Sequence, residues 1–119
     1  KPSMVTAGED AATAAPGQVA EFTLRTLRRA VPVAVPSINF LSGGQAPAEA
    51  TENLNALNQS RPAGLWQLSF SFARALQGPA LEAWRGRAEN VATAQAALAL
   101  RARLNQLAMQ GKYAMSMER

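Results

Sequence analysis

Apolar side chains recur at Ala20, Leu24, Leu27 and Val31, spacings of four, three and four that line one face of a helix. Glu21, Arg25, Arg28 and Arg29 gather on the opposite face, and Glu21 precedes Arg25 in the order that favours a helical ion pair. Pro16 opens this helix and Pro32 stops it, after fifteen small and polar residues that read as a loop. Ser37 to Ser42 is too short for a helix, is rich in strand formers, and is fenced by Pro36 and Gly43-Gly44, so it reads as a strand. A second helix follows from Pro47, with Ala50, Leu54 and Leu57 as its stripe. After the turn Arg61-Pro62-Ala63-Gly64 the period changes to two. Trp66, Leu68, Phe70 and Phe72 point one way and Gln67, Ser69 and Ser71 the other, which predicts a strand from Leu65 to Phe72. A short helical piece runs from about Arg74 to Trp84, broken near Gly78-Pro79. The longest helix begins at Asn90 as N-cap, carries Ala97, Leu100, Leu104 and Leu107 on one face, and ends at Gly111.

Strands separated by single helices call for parallel pairing and an α/β layer. Two strands leave both sheet edges bare, so the pattern is that of the last part of a larger α/β protein. The opening Lys1-Pro2-Ser3, without Met or a signal pattern, points the same way. No apolar run reaches the length of a membrane span, and the cytoplasm is the expected location.

Composition narrows the chemistry. The 119 residues contain no Cys and no His, which excludes thiol catalysis, zinc sites of the usual kind and His-based hydrolytic triads. The net charge of +4 is a mild lean towards anions. Arg25, Arg28, Arg29, Arg101 and Arg103 offer cations for nucleic acid, but Glu21 dilutes the first cluster and no aromatic is interleaved for stacking. Both clusters read more simply as solvated outer helix faces. Met109, Met115 and Met117 read as terminal packing.

The chemical signal lies after each strand. Ser42-Gly43-Gly44 follows the first, where glycines let backbone amides approach an anion and Ser42 adds a hydroxyl. Ala73-Arg74 follows the second at the start of a short helix, where a guanidinium and a helix N-terminus suit a phosphate. Barrels of the (β/α)₈ type build phosphate sites from the loops after the last two strands and a short extra helix. An ordinary turn and a surface ion-pair arginine would leave the same residues, and spacing does not choose between the two accounts.

Longer matches add a family. Lys1-Pro2-Ser3-Met4-Val5-Thr6, Phe40-Leu41-Ser42-Gly43-Gly44-Gln45, Asn53-Leu54-Asn55-Ala56 and the run from Leu68 to Gln77 (LSFSFARALQ) resemble class I fructose-bisphosphate aldolase, in order, from Lys1 to about Tyr113. The resemblance implies that residues 1–119 are the C-terminal part of a (β/α)₈ TIM barrel domain, from the end of strand 6 through the C-terminal helices, with the earlier strands upstream. It implies a lyase of glycolysis and gluconeogenesis that cleaves fructose 1,6-bisphosphate reversibly to dihydroxyacetone phosphate and glyceraldehyde 3-phosphate, with no metal and no cofactor.

By the same resemblance Lys1 is the Schiff-base lysine, Ser42 and Gly43 are donors to the C1 phosphate, and Arg74 grips phosphate. Ala73 stands where glycine is common in animal and plant members; its contact is through the backbone N–H, which alanine supplies if φ is negative. Ser3 stands where Asn is common. The chain stops at Arg119 without the long tail ending in Tyr of animal members, which looks bacterial, and Tyr113 receives no role. The family's general acid/base glutamate, its other active-site lysines and its aspartate match nothing here, and the role passes to none of Glu9, Asp10, Glu21 or Glu49. This segment alone is therefore expected to be inactive. The implied partner is a phosphorylated sugar, with homo-oligomers, often tetramers, common in the family and neither nucleic acid nor membrane expected. The competing expectation, from another class, is a basic helical binding module for nucleic acid or an acidic partner.

Overall fold

Two parallel strands lie under a layer of helices, as the alternating pattern requires. The computed structural model describes residues 1–119. Helix α1 spans Pro16–Ala30, strand β1 Ser37–Phe40, helix α2 Pro47–Ser60, strand β2 Gln67–Phe70, helix α3 Arg74–Trp84 and helix α4 Val91–Met109, with 3₁₀ turns at Ala88–Asn90 and Met115–Glu118. Ser37 pairs with Gln67, Ile38 with Leu68, Asn39 with Ser69 and Phe40 with Phe70.

Local chemistry fixes the helix ends. Pro16 and Pro47 occupy first helical positions, where the missing N–H would have had no partner. The side chains of Gln18 and Glu49 reach back to accept from the amides of Ala15 and Ala46, at 3.2 and 3.1 Å. The stripe of α1 is Val19, Ala20, Thr23, Leu24 and Leu27; Val31 falls just past the helix in extended backbone and is only half-buried. On α2, Ala50, Leu54 and Leu57 are wholly buried as their spacing predicts. Arg85 closes α3 in the left-handed region at φ 53°, its amide donating to the Leu81 carbonyl.

Three expectations change. Strand β2 is half as long as the alternation predicts, because β1 pairs with it only from Ser37 to Phe40, and its flanks are held by side-chain contacts instead. The Trp66 indole donates to the Pro32 carbonyl at 2.8 Å, and Phe72, buried beyond the last rung, packs its ring 5.7 Å from that of half-buried Phe70. Helix α3 runs unbroken through Gly78-Pro79. A proline there forfeits only the bond to the Ala75 carbonyl, and α3 lies along α4, with Ala75 buried in the shared core. Asn90 precedes α4 but does not cap it with its side chain, which donates instead to the Trp84 carbonyl at 3.1 Å.

Helix α2 is the centre of the packing, flanked by α1 and α4 and laid against β2. Its stripe joins Ile38, Phe40, Leu68, Leu104 and Ala108 in one apolar cluster. The radius of gyration is 15.0 Å, larger than the roughly 13.5 Å of a compact domain of this length. Phe22, Leu81 and Trp84 stay between two-fifths and three-fifths exposed. No helix is long and apolar enough to cross a membrane.

Candidate functional site

The ladder between β1 and β2 decides which loops meet. It continues one step past the strands, where the Ser71 amide donates to the Phe40 carbonyl at 2.7 Å. On the other edge of β1 the Leu41 amide donates to the Pro2 carbonyl at 3.0 Å. The sheet edge expected to be bare is therefore met by the first residues of the chain. Three segments lie side by side at the carboxyl end of the sheet: Lys1 to Ser3, Leu41 to Gly44, and Ser71 to Arg74.

The first segment is anchored from behind. The Val5 amide donates to Thr23 Oγ1 on α1 at 2.9 Å, and Met4 is buried with Gln45 Nε2 3.8 Å from its sulfur. Asn53 on α2 in turn donates to Gln45 Oε1 at 2.8 Å. The motif residues Asn53 and Gln45 thus hold the loop after β1 from the helix side.

Within that loop the Gln45 amide donates to the Ser42 carbonyl at 2.9 Å, which closes a turn. Gly43 has φ +43°, and a Cβ there would stand 3.1 Å from Leu41 Cδ1 and 3.9 Å from Ser3 Cβ. The left-handed backbone favours glycine, and the Leu41 side chain would have to give way to a Cβ, while Ser3 lies at ordinary contact distance. Ser42 is buried and Gly43 exposed. The amide of Gly43 makes no backbone hydrogen bond.

Ala73 is the N-cap of α3, at φ −93°, and its carbonyl accepts from Leu76 and Gln77 while its own amide has no backbone acceptor. The negative φ meets the condition under which alanine serves in place of glycine. Arg74, the first residue of α3, is exposed and has no ion pair. The first amides of a helix lack intrahelical partners and carry its positive end, so Arg74 and the start of α3 offer one cationic, donor-rich surface. Lys1 is exposed, without an ion pair, on the segment next to Leu41. Ser71, half-buried on the last rung, was given no role by the sequence. A hydroxyl at a strand end beside two anion-type loops was the signal that could have found it.

The arrangement can bind an oxyanion through amides and a guanidinium, and it sets a primary amine on the neighbouring segment. Two carboxylates stand beside the glycine loop: Glu9 and Glu49 line a cleft with Gly43 and Gly44, a cleft that Lys1, Ser42, Ala73 and Arg74 do not line. Glu49 caps α2, Glu21 pairs with Arg25, and Glu9 and Asp10 are exposed on the loop before α1. No cluster of His, Cys, Asp and Glu could hold a metal ion.

The basic residues divide. A cleft of about 630 Å³ runs along Arg25, Arg28 and Arg29 on α1, beside Ser60 and Pro62 and away from the strand ends. Arg101 is only 5% exposed, which corrects its reading as part of a solvated face. Its guanidinium pairs with Glu118 and donates to Thr51 Oγ1 at 2.7 Å. The Tyr113 hydroxyl donates to Glu118 at 2.7 Å. Burial raises the Tyr113 phenol above its ordinary value, helped by its hydrogen bond to Glu118 and that residue's charge. Desolvation pushes the Glu118 carboxyl up, but hydrogen bonds from Arg101 and Tyr113 and the Arg101 charge outweigh it, and the carboxyl sits below its ordinary value.

Comparison with known proteins gives the family. The family model described as fructose-bisphosphate aldolase class-I matches residues 1–119. A chloroplastic fructose-bisphosphate aldolase 1 of Chlamydomonas reinhardtii is 58% identical over 114 residues, covering 95% of this chain and 30% of the relative. A cytoplasmic isozyme of the same enzyme from Cicer arietinum is 56% identical, covering 95% and 32%. A solved fructose-bisphosphate aldolase of Plasmodium falciparum, in complex with TRAP and a small-molecule inhibitor, superposes with a TM-score of 0.90 at 49% identity, over 95% of this chain and 33% of that one. The chain spans about 30% of the length of the curated relatives it matches. None of these relatives is named as a nucleic-acid-binding protein.

Proposed function

This chain belongs to the class-I fructose-bisphosphate aldolase family, and on that premise we propose that it supplies the amine nucleophile and the phosphate-gripping loops of an aldolase acting on fructose 1,6-bisphosphate. The observation that carries the reading is the hydrogen-bonded order Pro2–Leu41 and Phe40–Ser71, which sets Lys1, the glycine loop and the start of α3 at one end of the sheet.

In the proposed reaction the Lys1 amine adds to the ketose C2 carbonyl and expels water, leaving a protonated imine. A base takes the proton from the C4 hydroxyl, the C3–C4 bond breaks, and its electron pair flows into the imine. Glyceraldehyde 3-phosphate leaves. The enamine is protonated at C3, and hydrolysis of the imine releases dihydroxyacetone phosphate and the free lysine. Ser42, the Gly43 amide, the Ala73 amide and Arg74 hold phosphate, with Ser71 as a further hydroxyl donor at the same strand end. Binding a dianion through fixed amides and a guanidinium holds the carbonyl carbon against the amine, so the addition is effectively unimolecular.

The base is not among these residues. The family resemblance assigns it to residues outside 1–119, so the segment by itself is expected to bind weakly and not to cleave. The complete protein is a homo-oligomer in the cytoplasm in this reading, acting on a phosphorylated sugar without metal or cofactor.

Borohydride reduction in the presence of dihydroxyacetone phosphate tests the assignment. The complete protein should be trapped on Lys1, located by peptide mapping, and Lys1→Arg should leave only background labelling. Equal trapping in the Lys1→Arg variant would remove the proposed role.

A further inference from the structure

One charged side chain, Glu118, ties the C-terminal turn to the helices beneath it. Tyr113 is the last buried residue of the chain, its amide donating to Asn55 Oδ1 on α2 at 2.9 Å. Just before it, Gly111 turns at φ +68° and its carbonyl accepts from Gln59 Nε2 at 2.9 Å. Beyond Tyr113 no residue of the turn Met115–Glu118 is buried, and Met115 and Met117 are 48% and 40% exposed. The turn's internal bond, from the Met117 amide to the Ala114 carbonyl, does not tie it to anything else. The Met115 sulfur lies 3.5 Å from the Tyr113 hydroxyl and the turn runs along α2, but Glu118 makes the turn's one ion pair. Its carboxylate takes both terminal nitrogens of Arg101 and the Tyr113 hydroxyl.

Arg101 gives this contact its force. The guanidinium sits inside the α2–α4 interface, where its remaining hydrogen bonds go to Thr51 Oγ1 and, at 3.4 Å, to the Pro47 carbonyl. Its Nε has no partner, nor has Nδ2 of the neighbouring Asn105. Glu118 is the one carboxylate paired with it. Without Glu118 a buried cation would lie uncompensated in a site already short of acceptors, and that is costly.

We propose that Glu118 is the tongue of a charge-held latch, which fastens the otherwise exposed segment Ala114–Arg119 onto Arg101 and frees it when the carboxylate is neutralised. The groups that face Glu118 are Arg101 from α4 and Tyr113 from its own segment, with Glu52 of α2 acting on Tyr113. Arg101 and Tyr113 hold the closed state when Glu118 is ionised and Tyr113 protonated, and Glu52 acts only to keep the Tyr113 phenol protonated. The latch closes against α2 at its first turn, since Arg101 bonds both Thr51 and the Pro47 carbonyl.

Amide hydrogen exchange at neutral pH tests the latch without any assay of catalysis. Glu118→Gln keeps the shape and removes the charge. Amides of residues 114–119 should exchange about 10- to 150-fold faster in this variant, the scale of a lost charge-assisted hydrogen bond, while those of α2 and α4 keep their protection. Unchanged exchange of residues 114–119 would overturn the proposal. Should Glu118→Gln loosen α2 and α4 as well, Tyr113→Phe decides, because it leaves every charge in place and removes one donor to Glu118. Faster exchange confined to residues 114–119 then supports the latch, and exchange identical to the parent overturns it.

Discussion

Arg74 and Arg101 are the same side chain in opposite circumstances. Arg74 begins a helix at the carboxyl end of the sheet, exposed and unpaired, beside backbone amides that no carbonyl of the chain takes. Arg101 lies between two helices with its terminal nitrogens committed to Glu118, Thr51 and the Pro47 carbonyl. Desolvation explains the division of labour. A cation already buried and paired has nothing left to offer a ligand, and its removal is felt as stability. A cation left open beside unused donors contributes little to the fold and is free to meet a dianion. The comparison also removes Arg101 from the outer basic face, because it is internal.

The largest separation between the two regions should come from Lys1. Lys1→Met in the complete protein should abolish both borohydride trapping and aldol cleavage while leaving the unfolding free energy in urea within about 0.5 kcal/mol of the parent, as for surface substitutions generally. A retained trapped adduct elsewhere in the protein would move the nucleophile.

Arg101→Met should do the reverse. Breaking a buried pair from one side costs about 3–5 kcal/mol, because the partner charge stays behind. Glu118 is partly exposed, which places the expectation at the lower end of that range. Denaturant unfolding measures it, and a double variant with Glu118→Gln should recover part of the loss. The same pair sets the pH dependence. Glu118 has a lowered value in the fold, so its contribution is present above the ordinary 4.5 and is lost as pH falls through the lowered value. Tyr113 is raised, so its contribution holds up to the ordinary 10.0 and declines as pH rises beyond it. Stability should be flat between these limits, and Glu118→Gln should erase the acid step attributable to this site.

Arg74→Ala should cost about 1.5–3 kcal/mol of phosphate binding, or roughly 10- to 150-fold in affinity for the bisphosphate, with the unfolding midpoint unmoved. An unchanged KM and kcat would sink its role. Gly43→Ala is the smallest test. The left-handed backbone strains an L-residue by roughly 1–2 kcal/mol, and the new methyl would press on Leu41 Cδ1 at 3.1 Å. Weaker bisphosphate binding together with that modest destabilisation would show that the loop's shape, and not only its amides, matters.

Much of the fold was legible in the pattern of side chains. The stripe Ala50, Leu54, Leu57 named the helix at the centre of the core, and the strand–helix–strand order named parallel pairing before any partner was known. The loops of the proposed site were legible too: Ser42-Gly43 and Ala73-Arg74 follow the two strands, and the Gly43 and Ala73 amides have no backbone acceptor. Pro79 misled because the cost of one lost helical bond was weighed without the neighbouring helix that offsets it. Arg101 and Arg103 look alike in sequence, two residues apart on α4, yet one is buried and the other exposed. Helical spacing does separate them, since Arg101 shares the buried face of Leu104, Asn105 and Ala108 and Arg103 does not. The charge of Arg101 outweighed its place in that stripe in the sequence reading.

Local periodicity and turn chemistry depend on residues a few positions apart, so the sequence by itself determined the helices, the strands, the parallel order and the loops that follow each strand. Pairing Arg101 with Glu118 and Thr51, or Pro2 with Leu41, joins residues from 17 to 50 positions apart, and only the packed chain brings them together. Burial then changed what each charge is for, because the cost of desolvation depends on surroundings that no stretch of sequence contains.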